Sequence, residues 1–252
     1  MADGIERSAV KVPEVTLVFW LIKIAATTLG ETAGDAVSMS MGLGYLEATG
    51  VFAAIMVAAV SAQIMASQFS PSLYWATIIA STTLGTTLAD FADRSLGIGY
   101  PGGSLLLLAL LVGSLLLWRR TLGTVSVDSV SSPKAEIFYW VTIMLSQTLG
   151  TALGDWTADS AGMGYLGGMA IFTVLLAIVA GAYRWAGISR TALFWAAFVL
   201  TRPLGAVVGD FLDKPLGAGG LDLSRFGASA VLLAFIVACV IFVPQRAAST
   251  RH

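Results

Sequence analysis

Eight apolar segments, separated by short polar or glycine-rich stretches, run along the chain. Four of them contain acidic and hydroxyl side chains; we call these the A helices and predict them at 15–36, 72–92, 137–158 and 191–212. The other four, the B helices, are plainly apolar and are predicted at 47–66, 103–118, 166–183 and 226–243. Because about 20 apolar residues cross the hydrocarbon core of a bilayer, the pattern predicts eight transmembrane helices, with the second B helix short.

The A helices share a repeated sequence pattern that needs no gap in any copy. A Trp is followed by Gly ten residues later, Asp five residues after that, and Gly seven residues further on. The copies are Trp20/Gly30/Asp35/Gly42, Trp75/Gly85/Asp90/Gly97, Trp140/Gly150/Asp155/Gly162 and Trp195/Gly205/Asp210/Gly217. Each repeat has two spans, so all four copies run in the same direction. We therefore predict an all-α membrane protein, with eight transmembrane helices from four parallel two-helix repeats.

The spacing of the repeats divides the chain into two pseudo-symmetric halves. Successive copies start 55, 65 and 55 residues apart, and the ten extra residues fall in a polar stretch between the second and third copies. The predicted organisation is an N-terminal cytoplasmic segment at 1–14, repeat 1 at 15–70, repeat 2 at 71–118, a cytoplasmic linker at 119–136, repeat 3 at 137–189, repeat 4 at 190–243 and a C-terminal tail at 244–252.

Composition agrees with this membrane class. Hydrophobic residues make up 57% of the chain and charged residues only 12%, about half the charged fraction of a soluble domain. A net charge of −1 gives no indication of nucleic acid binding. The single cysteine, Cys239, excludes a disulfide framework, and the only histidine is the terminal His252. Any metal site would therefore be built from oxygen ligands, and no cofactor is predicted.

Basic residues indicate the orientation. One side of the predicted bundle holds Arg7, Lys11, Arg119, Arg120, Lys134, Arg184, Arg190, Arg246 and Arg251. The other side holds only Arg94, Lys214 and Arg225. The positive-inside rule then places both termini in the cytoplasm and the repeat Asp residues in the outer half of the A helices.

The repeat aspartates are the strongest candidates for function. A carboxylate in an apolar helix is costly, and four in register (Asp35, Asp90, Asp155 and Asp210) indicate one shared ion-binding site. Each has a second carboxylate within one helical turn: Glu31, Asp93, Asp159 and Asp213. Such pairs repel unless a cation or a proton joins them. Nearby oxygen donors include Thr28, Thr83, Thr148 and Gln147, and hard cations prefer such ligands.

Structural interpretations of the same carboxylates stay open. The second carboxylates of repeats 2–4 fit hydrated residues near a helix end, and the repeat aspartates fit helix-end residues that accept backbone hydrogen bonds. Lys23 and Arg202 lie inside A helices, where each would serve as an internal counter-ion or as a gate. Counting Glu31 and the four repeat aspartates against these two bases leaves an acidic excess of three, which favours a cationic substrate.

Small residues predict how the helices pack. Pairs four residues apart let helices approach closely in lipid, and they occur as Gly30/Gly34, Gly85/Ala89, Gly150/Gly154 and Gly205/Gly209. We therefore expect the A helices to meet at the centre of the bundle, with the B helices outside. An interfacial aromatic belt accounts for Trp20, Trp75, Trp140 and Trp195, together with Trp118 and Trp185.

The Trp, Leu-Gly and Asp positions of the four copies resemble a family of bacterial membrane proteins built from four tandem two-helix repeats of unknown function. The resemblance covers residues 15–243 and implies an architecture and the bacterial inner membrane, not an activity. The stretch from Gly30 to Asp35 is also similar to the acidic helix motif of cation/proton exchangers that move calcium or manganese. It departs from that motif because two residues separate Glu31 from Gly34 and because Ala36, not a basic residue, follows Asp35.

These observations lead to a functional hypothesis with two alternatives. The leading one is a secondary transporter for a cation, a divalent metal such as manganese, coupled to protons. One alternative is a non-transporting assembly or sensor protein with structural aspartates; the other is a transporter of an organic or anionic solute that uses Lys23 and Arg202. An enzyme is not predicted, although paired aspartates resemble an aspartyl dyad. The expected partners are the lipid bilayer and a small cation or proton, and homo-oligomer formation is left open.

Overall fold

A computed structural model describes residues 10–248, and within them the protein is all-helical. Eight long helices are α1 (Leu17–Asp35), α2 (Tyr45–Met65), α3 (Pro71–Asp90), α4 (Tyr100–Leu122), α5 (Pro133–Asp155), α6 (Gly164–Trp185), α7 (Arg190–Asp213) and α8 (Arg225–Phe242). The A helices are thus α1, α3, α5 and α7, and the B helices are α2, α4, α6 and α8. This confirms the predicted fold class at the level of an all-helical protein with eight helices.

Seven of the eight helices are long and apolar enough to cross a membrane, so the chain is a multi-pass membrane protein by helix length and composition. The exception is α3, which carries seven serine and threonine side chains: Ser72, Thr77, Ser81, Thr82, Thr83, Thr86 and Thr87. All of these except Ser72 are buried against neighbouring helices. The lower hydropathy of α3 therefore comes from hydroxyl side chains that face neighbouring helices.

The A helices form a closed inner ring. Helix α1 packs against α3 and α7, and α5 packs against the same two helices. Each B helix packs mainly against the A helix of the following repeat: α2 on α3, α4 on α5 and α6 on α7. Helix α8 packs on α1, which closes the circle. The predicted arrangement, with A helices central and B helices outside, is what the structure shows.

Glycines at one position of each repeat allow this close packing. A Cβ atom added to any of these glycines would collide with a residue of the next repeat. That residue stands three positions before the equivalent glycine of its own repeat. The contacts run from Gly30 to Thr82, from Gly85 to Gln147, from Gly150 to Arg202 and from Gly205 to Thr27. The ring therefore closes through one contact used four times. Gly34, Gly154 and Gly209 repeat it one turn later, against Thr86, Ala206 and Glu31.

We expect Gly30→Ala to destabilise the bundle, because its Cβ would lie 1.5 Å from Thr82 Oγ1 and 2.9 Å from the Thr82 backbone carbon. The matched control is Gly113→Ala in helix α4, where nothing lies within 4 Å of the added Cβ. Thermal unfolding in detergent should show a lower midpoint for the first variant, and no decrease for the second, since Ala is the better helix former. Equal midpoints would contradict the ring contact.

An aromatic layer closes the end of the ring at which the A helices begin. The ring before each Trp lies on the Trp of the next repeat: Phe19 on Trp75, Tyr74 on Trp140, Tyr139 on Trp195 and Phe194 on Trp20. The Tyr74 and Tyr139 hydroxyls also share a 2.6 Å hydrogen bond between fully buried side chains.

The predicted aromatic belt is therefore wrong for most of its members. Trp75, Trp140 and Trp195 are buried in this layer, and Trp118 packs on Trp195 without any exposed surface. Trp20 is partly buried, and only Trp185, 83% exposed, is placed as a belt residue would be. The reason is the closed ring, because it turns the Trp-bearing faces of the A helices towards one another.

Two boundaries differ from the sequence prediction. The second B helix is not short, because α4 spans 23 residues from Tyr100 to Leu122. Its second residue is Pro101, which is tolerated in the first turn of a helix, and it continues through Arg119 and Arg120 to a left-handed Gly123. Helix α5 begins at Pro133, so that only 123–132 of the predicted linker lies between the two helices.

The described residues just before α1 and just after α8 meet on the side of the aromatic layer. Pro13 forms a β-bridge with Ala247, and Lys11 forms a 2.7 Å ion pair with Glu136 at the start of α5. The Lys11 ammonium also donates to backbone carbonyls at the end of α2. Of the basic residues used for orientation, Arg7 and Arg251 lie outside the described residues, as do His252 and parts of the predicted segments 1–14 and 244–252.

Candidate functional site

The four repeat aspartates end or nearly end the A helices, at the opposite end of the ring from the aromatic layer. In α1, α3 and α5 the Asp is the last α-helical residue and a π-helical turn follows, at Ala36–Ser40, Phe91–Ser95 and Trp156–Ser160. In α7 the helix runs on to Asp213 and stops at Lys214, because Pro215 follows. All four side chains are buried, with 1–4% of each residue exposed.

Glycines in the turn after each repeat Asp allow the chain to reverse direction and enter the B helix. In the first three repeats both glycines of the Gly-x-Gly turn have positive φ, as at Gly42 (69°) and Gly44 (80°). A side chain would be strained in this left-handed region. Repeat 4 has a short 3₁₀ turn instead, Leu216–Ala218, and positive φ occurs at Gly219 and at Asp222. The fourth turn therefore departs from the other three where its sequence does.

Two basic side chains connect the four aspartates in pairs. Arg94 lies 2.8 Å from Asp90 Oδ1 and 3.3 Å from Asp155 Oδ2. Lys214 lies 2.6 Å from Asp35 Oδ2 and 3.0 Å from Asp210 Oδ1. Each base thus bridges its own repeat to a neighbouring one, and the two bridges lie 120 residues apart in the sequence.

Sequence reasoning placed Arg94 and Lys214 on the outer side but missed their role. A signal was available, because each stands four residues after a repeat Asp, the spacing at which helical side chains meet. Met39 and Asp159 occupy the equivalent positions in repeats 1 and 3. Only the second repeat of each half therefore supplies a base.

Glu31 and Arg202 form a buried pair one turn inside the aspartates. Arg202 Nη2 donates to Glu31 Oε2 at 2.9 Å and to Thr86 Oγ1 at 2.7 Å, and it also contacts Thr151 Oγ1. Glu31, Thr86 and Thr151 occupy the same repeat position, directly after the glycine at the ring contact. The guanidinium, with none of its surface exposed, therefore fills the centre of the ring at that level.

Three carboxylates from three different A helices come together beside this pair. One oxygen each from Glu31, Asp155 and Asp210 lies within 4.8 Å of the others, and all three residues are buried. We call these residues the inner triad. Asp155 pairs with Arg94 through Oδ2, but its Oδ1 is buried without a hydrogen-bond partner among residues 10–248. Burial of a carboxylate oxygen without a partner costs free energy, and a cation or a proton would supply that partner.

The charges of the site leave an acidic surplus smaller than the three predicted from sequence. The buried carboxylates are Glu31, Asp35, Asp90, Asp155, Asp210 and Asp213. The bases paired with them are Arg94, Arg202, Lys214 and Arg225. Six carboxylates against four bases leave a surplus of two, or of one when Lys23 is counted as charged.

Lys23 lies on the inner side of Arg202, towards the aromatic layer. Its ammonium stands 4.1 Å from the centre of the Phe198 ring and 3.4 Å from Gln147 Oε1, and it is fully buried. Among the described residues no carboxylate pairs with it. The sequence prediction treated Lys23 and Arg202 alike as counter-ions, but only Arg202 is in an ion pair.

The predicted oxygen donors lie elsewhere on the ring. Each of Thr28, Thr83 and Thr148 donates to the carbonyl one turn back on its own helix, to Ile24, Ile79 and Met144 respectively. Gln147 bonds to Lys23 and Ser81. The Thr86 hydroxyl reaches an acidic residue, because it donates to Glu31 Oε2 at 3.3 Å, and the Thr151 hydroxyl reaches the same cluster through Arg202. Their alignment with Glu31 in the repeat was the signal that could have identified them.

The second carboxylates have three different environments. Asp213 is buried and pairs with Arg225 at 2.7 Å. Asp93 is partly buried and lies against Gly103, because a Cβ atom added to Gly103 would be 2.7 Å from Asp93 Oδ1. Asp159 is exposed, as expected for a hydrated residue at a helix end. Of these three, only Asp213 joins the buried cluster.

Comparison with known proteins agrees with the repeat pattern. The model of one repeat family matches four consecutive segments, 18–69, 73–124, 138–189 and 193–243. No curated protein and no solved structure matches the chain. The four matches cover most of the sequence and coincide with the four Trp-to-Asp copies. The chain therefore belongs to the family described as Repeat of Unknown Function (DUF347).

Proposed function

We propose that this protein is a secondary transporter for a cation, with a divalent metal such as manganese as its substrate and protons as the coupling ion. All eight helices would span the bacterial inner membrane as four parallel repeats in two pseudo-symmetric halves, with both termini in the cytoplasm. The aromatic layer would then face the cytoplasm, and the aspartates would face the outside. The positive-inside rule supports this orientation.

The inner triad is the observation that carries the proposal. Oxygen atoms from Glu31, Asp155 and Asp210 lie close enough for one ion to contact all three, and they come from α1, α5 and α7. Hard divalent cations bind through carboxylate oxygens of this kind. Since the ligands belong to separate helices, a shift of one helix would change the site, as alternating access requires.

Proton coupling follows from the same chemistry. Without a cation, three carboxylates this close repel one another, and protonation is the other way to relieve that repulsion. Binding of a metal ion would displace those protons, because carboxylates coordinate metals in their charged form. Metal and protons would then compete for one set of oxygens, which is the requirement for exchange.

The basic residues support a cation over an anion as the substrate. Arg202 is occupied by Glu31 and two threonines, and Lys23 is enclosed beneath Phe198. Arg94 and Lys214 are likewise held by aspartates. An anion would have to compete with the carboxylates that already hold Arg202, Arg94 and Lys214, whereas a cation would meet a surplus of acid.

The test is a panel of cations on purified protein in liposomes, with uptake followed by elemental analysis. We expect flux of one divalent ion that depends on an imposed pH gradient and that is absent from protein-free vesicles. Absence of metal flux in sealed vesicles containing folded protein would contradict the proposal.

A second candidate function rests on the ion pairs themselves. Each repeat Asp has a basic partner, so the cluster would also serve a non-transporting assembly that uses these pairs to join its helices. This alternative predicts that Asp→Asn variants lower thermal stability and that no cation flux exists. The liposome panel therefore distinguishes the two functions.

A further inference from the structure

Lys214 occupies a position between carboxylates that suits a bound cation. It follows directly after α7 and has 14% of its side chain exposed. Its ammonium lies 2.6 Å from Asp35 Oδ2 and 3.0 Å from Asp210 Oδ1. Burial lowers the pKa of Lys214, but the Asp210 and Asp35 carboxylates outweigh burial and raise its pKa above the usual value. The group is therefore a permanent cation at neutral pH.

A third carboxylate completes the surroundings of this ammonium. One oxygen each from Asp35, Asp210 and Asp213 lies within 4.8 Å of the others, and all three residues are buried. We call these residues the outer triad. Asp213 Oδ2 pairs with Arg225 Nε at 2.7 Å, whereas its Oδ1 is buried without a hydrogen-bond partner among residues 10–248. The outer triad thus retains an unused buried oxygen besides the two that hold Lys214.

Asp210 belongs to both triads. It contributes an oxygen to the group with Glu31 and Asp155, and an oxygen to the group with Asp35 and Asp213. A cation bound by the outer triad would therefore already contact a ligand of the inner triad. If the cation moved from the outer triad to the inner triad, it would exchange two carboxylate ligands and keep Asp210.

We propose that the outer triad is a second cation-binding site, and that Lys214 is a tethered cation which the incoming metal ion displaces. The ligand class is a hard divalent cation, because every donor is a carboxylate oxygen. The site would receive the ion from the outside and pass it to the inner triad through Asp210. This inference rests on the proposed transport function for its direction, but binding at the outer triad is testable without transport.

The equivalent base in the other half has a different role. Arg94 bridges Asp90 and Asp155, and within the described residues no third carboxylate groups with these two. A guanidinium is also a rigid fork that binds carboxylates with fixed geometry, whereas an ammonium is a point charge on a flexible stem. The Arg94 bridge is therefore the static one, and the Lys214 bridge is the exchangeable one.

The first experiment measures Mn²⁺, Mg²⁺ and Ca²⁺ binding to full-length purified protein by titration calorimetry. We expect Lys214→Met to lower the apparent dissociation constant for at least one of these ions by about tenfold, which corresponds to a site that Lys214 leaves free about a tenth of the time. Lys214→Arg should remain near wild type. Lys134→Met, which removes an exposed lysine at the start of α5, is the matched control and should change nothing. Adding Asp213→Asn to Lys214→Met should remove the gain.

A second measurement uses the wild-type protein, so its result does not depend on whether a variant folds. The Lys214 amine is acetylated in brief pulses, with and without each ion, and its modification is compared with that of Lys134 by mass spectrometry. Displacement predicts several-fold faster acetylation of Lys214 when the ion is bound, and no change at Lys134. Unchanged or slower acetylation at a saturating ion concentration, or no gain in affinity in a folded Lys214→Met variant, would overturn the outer site.

Failure of this inference is distinguishable from failure of the proposed function. Asp155 is not part of the outer triad, so Asp155→Asn should abolish transport and leave the affinity gain of Lys214→Met intact. A gain in affinity without any flux would retain the outer site and remove the transporter. Flux without displacement of Lys214 would retain the transporter and remove the outer site.

Discussion

Asp155→Asn is expected to abolish cation transport, with at least about a hundredfold loss of flux, while the protein stays folded. Asp155 contributes one oxygen to the inner triad, and its Oδ1 is the buried oxygen left without a partner there. Loss of groups that only support a metal ligand already costs 10–100-fold in affinity or activity, so loss of a ligand itself should exceed that. The measurement is gradient-driven uptake into liposomes, with thermal unfolding of the same sample.

The matched control is Asp159→Asn. Asp159 lies in the π-helical turn that follows Asp155, and it is exposed. Its replacement removes the same charge from the same segment without touching either triad, so transport should stay near the wild-type rate. Uptake by Asp155→Asn at the wild-type rate would remove Asp155 from the site.

Arg202→Met is expected to reduce the free energy of unfolding by about 3–5 kcal/mol, the usual cost of removing one partner from a buried ion pair. The variant leaves the Glu31 carboxylate buried without its cation, and Thr86 and Thr151 lose a shared donor. The measurement is chemical or thermal unfolding in detergent, calibrated on wild-type protein.

Two further variants identify the cause of that loss. Adding Glu31→Gln to Arg202→Met should recover much of the stability, because the orphaned charge is gone. Arg120→Met, at an exposed position near the end of α4, should unfold like wild type. An Arg202→Met variant as stable as wild type would show that the Arg202–Glu31 pair does not hold the ring together.

Much of the fold could be predicted from the periodic sequence. The four copies of Trp, Gly and Asp gave the A helices, their central position and the level at which the aspartates lie. Small residues at Gly30 and Gly205 were correctly interpreted as close contacts between helices. The partner of each B helix could not be predicted, because apolar side chains pack equally well on either neighbour, and the structure places each B helix on the next repeat.

The site was only partly predictable, because its polar contacts connect different repeats. Lys214 contacts Asp35 across 179 residues, and Arg202 contacts Glu31 across 171. Charge counting along single helices therefore overlooked Lys214 and Arg94 and overestimated the acidic surplus. The threonines were chosen by proximity in sequence, whereas the repeat position of Glu31 selects Thr86 and Thr151.

The aromatic residues show how the closed ring changes an interpretation based on sequence position. Trp75 and Trp140 lie near helix starts, where lipid-facing aromatics are common. In the ring the same faces point inwards, and the rings pack into a layer that closes one end of the bundle. A positional rule for membrane aromatics holds only when the helix face is also known.

The most direct test of the proposed site is anomalous diffraction at the manganese absorption edge from crystals grown with Mn²⁺. The account predicts an anomalous peak between Glu31, Asp155 and Asp210, with carboxylate oxygens at about 2.0–2.6 Å, the range for hard divalent cations. A peak only at surface carboxylates such as Asp159, or no peak in protein that transports manganese, would contradict it.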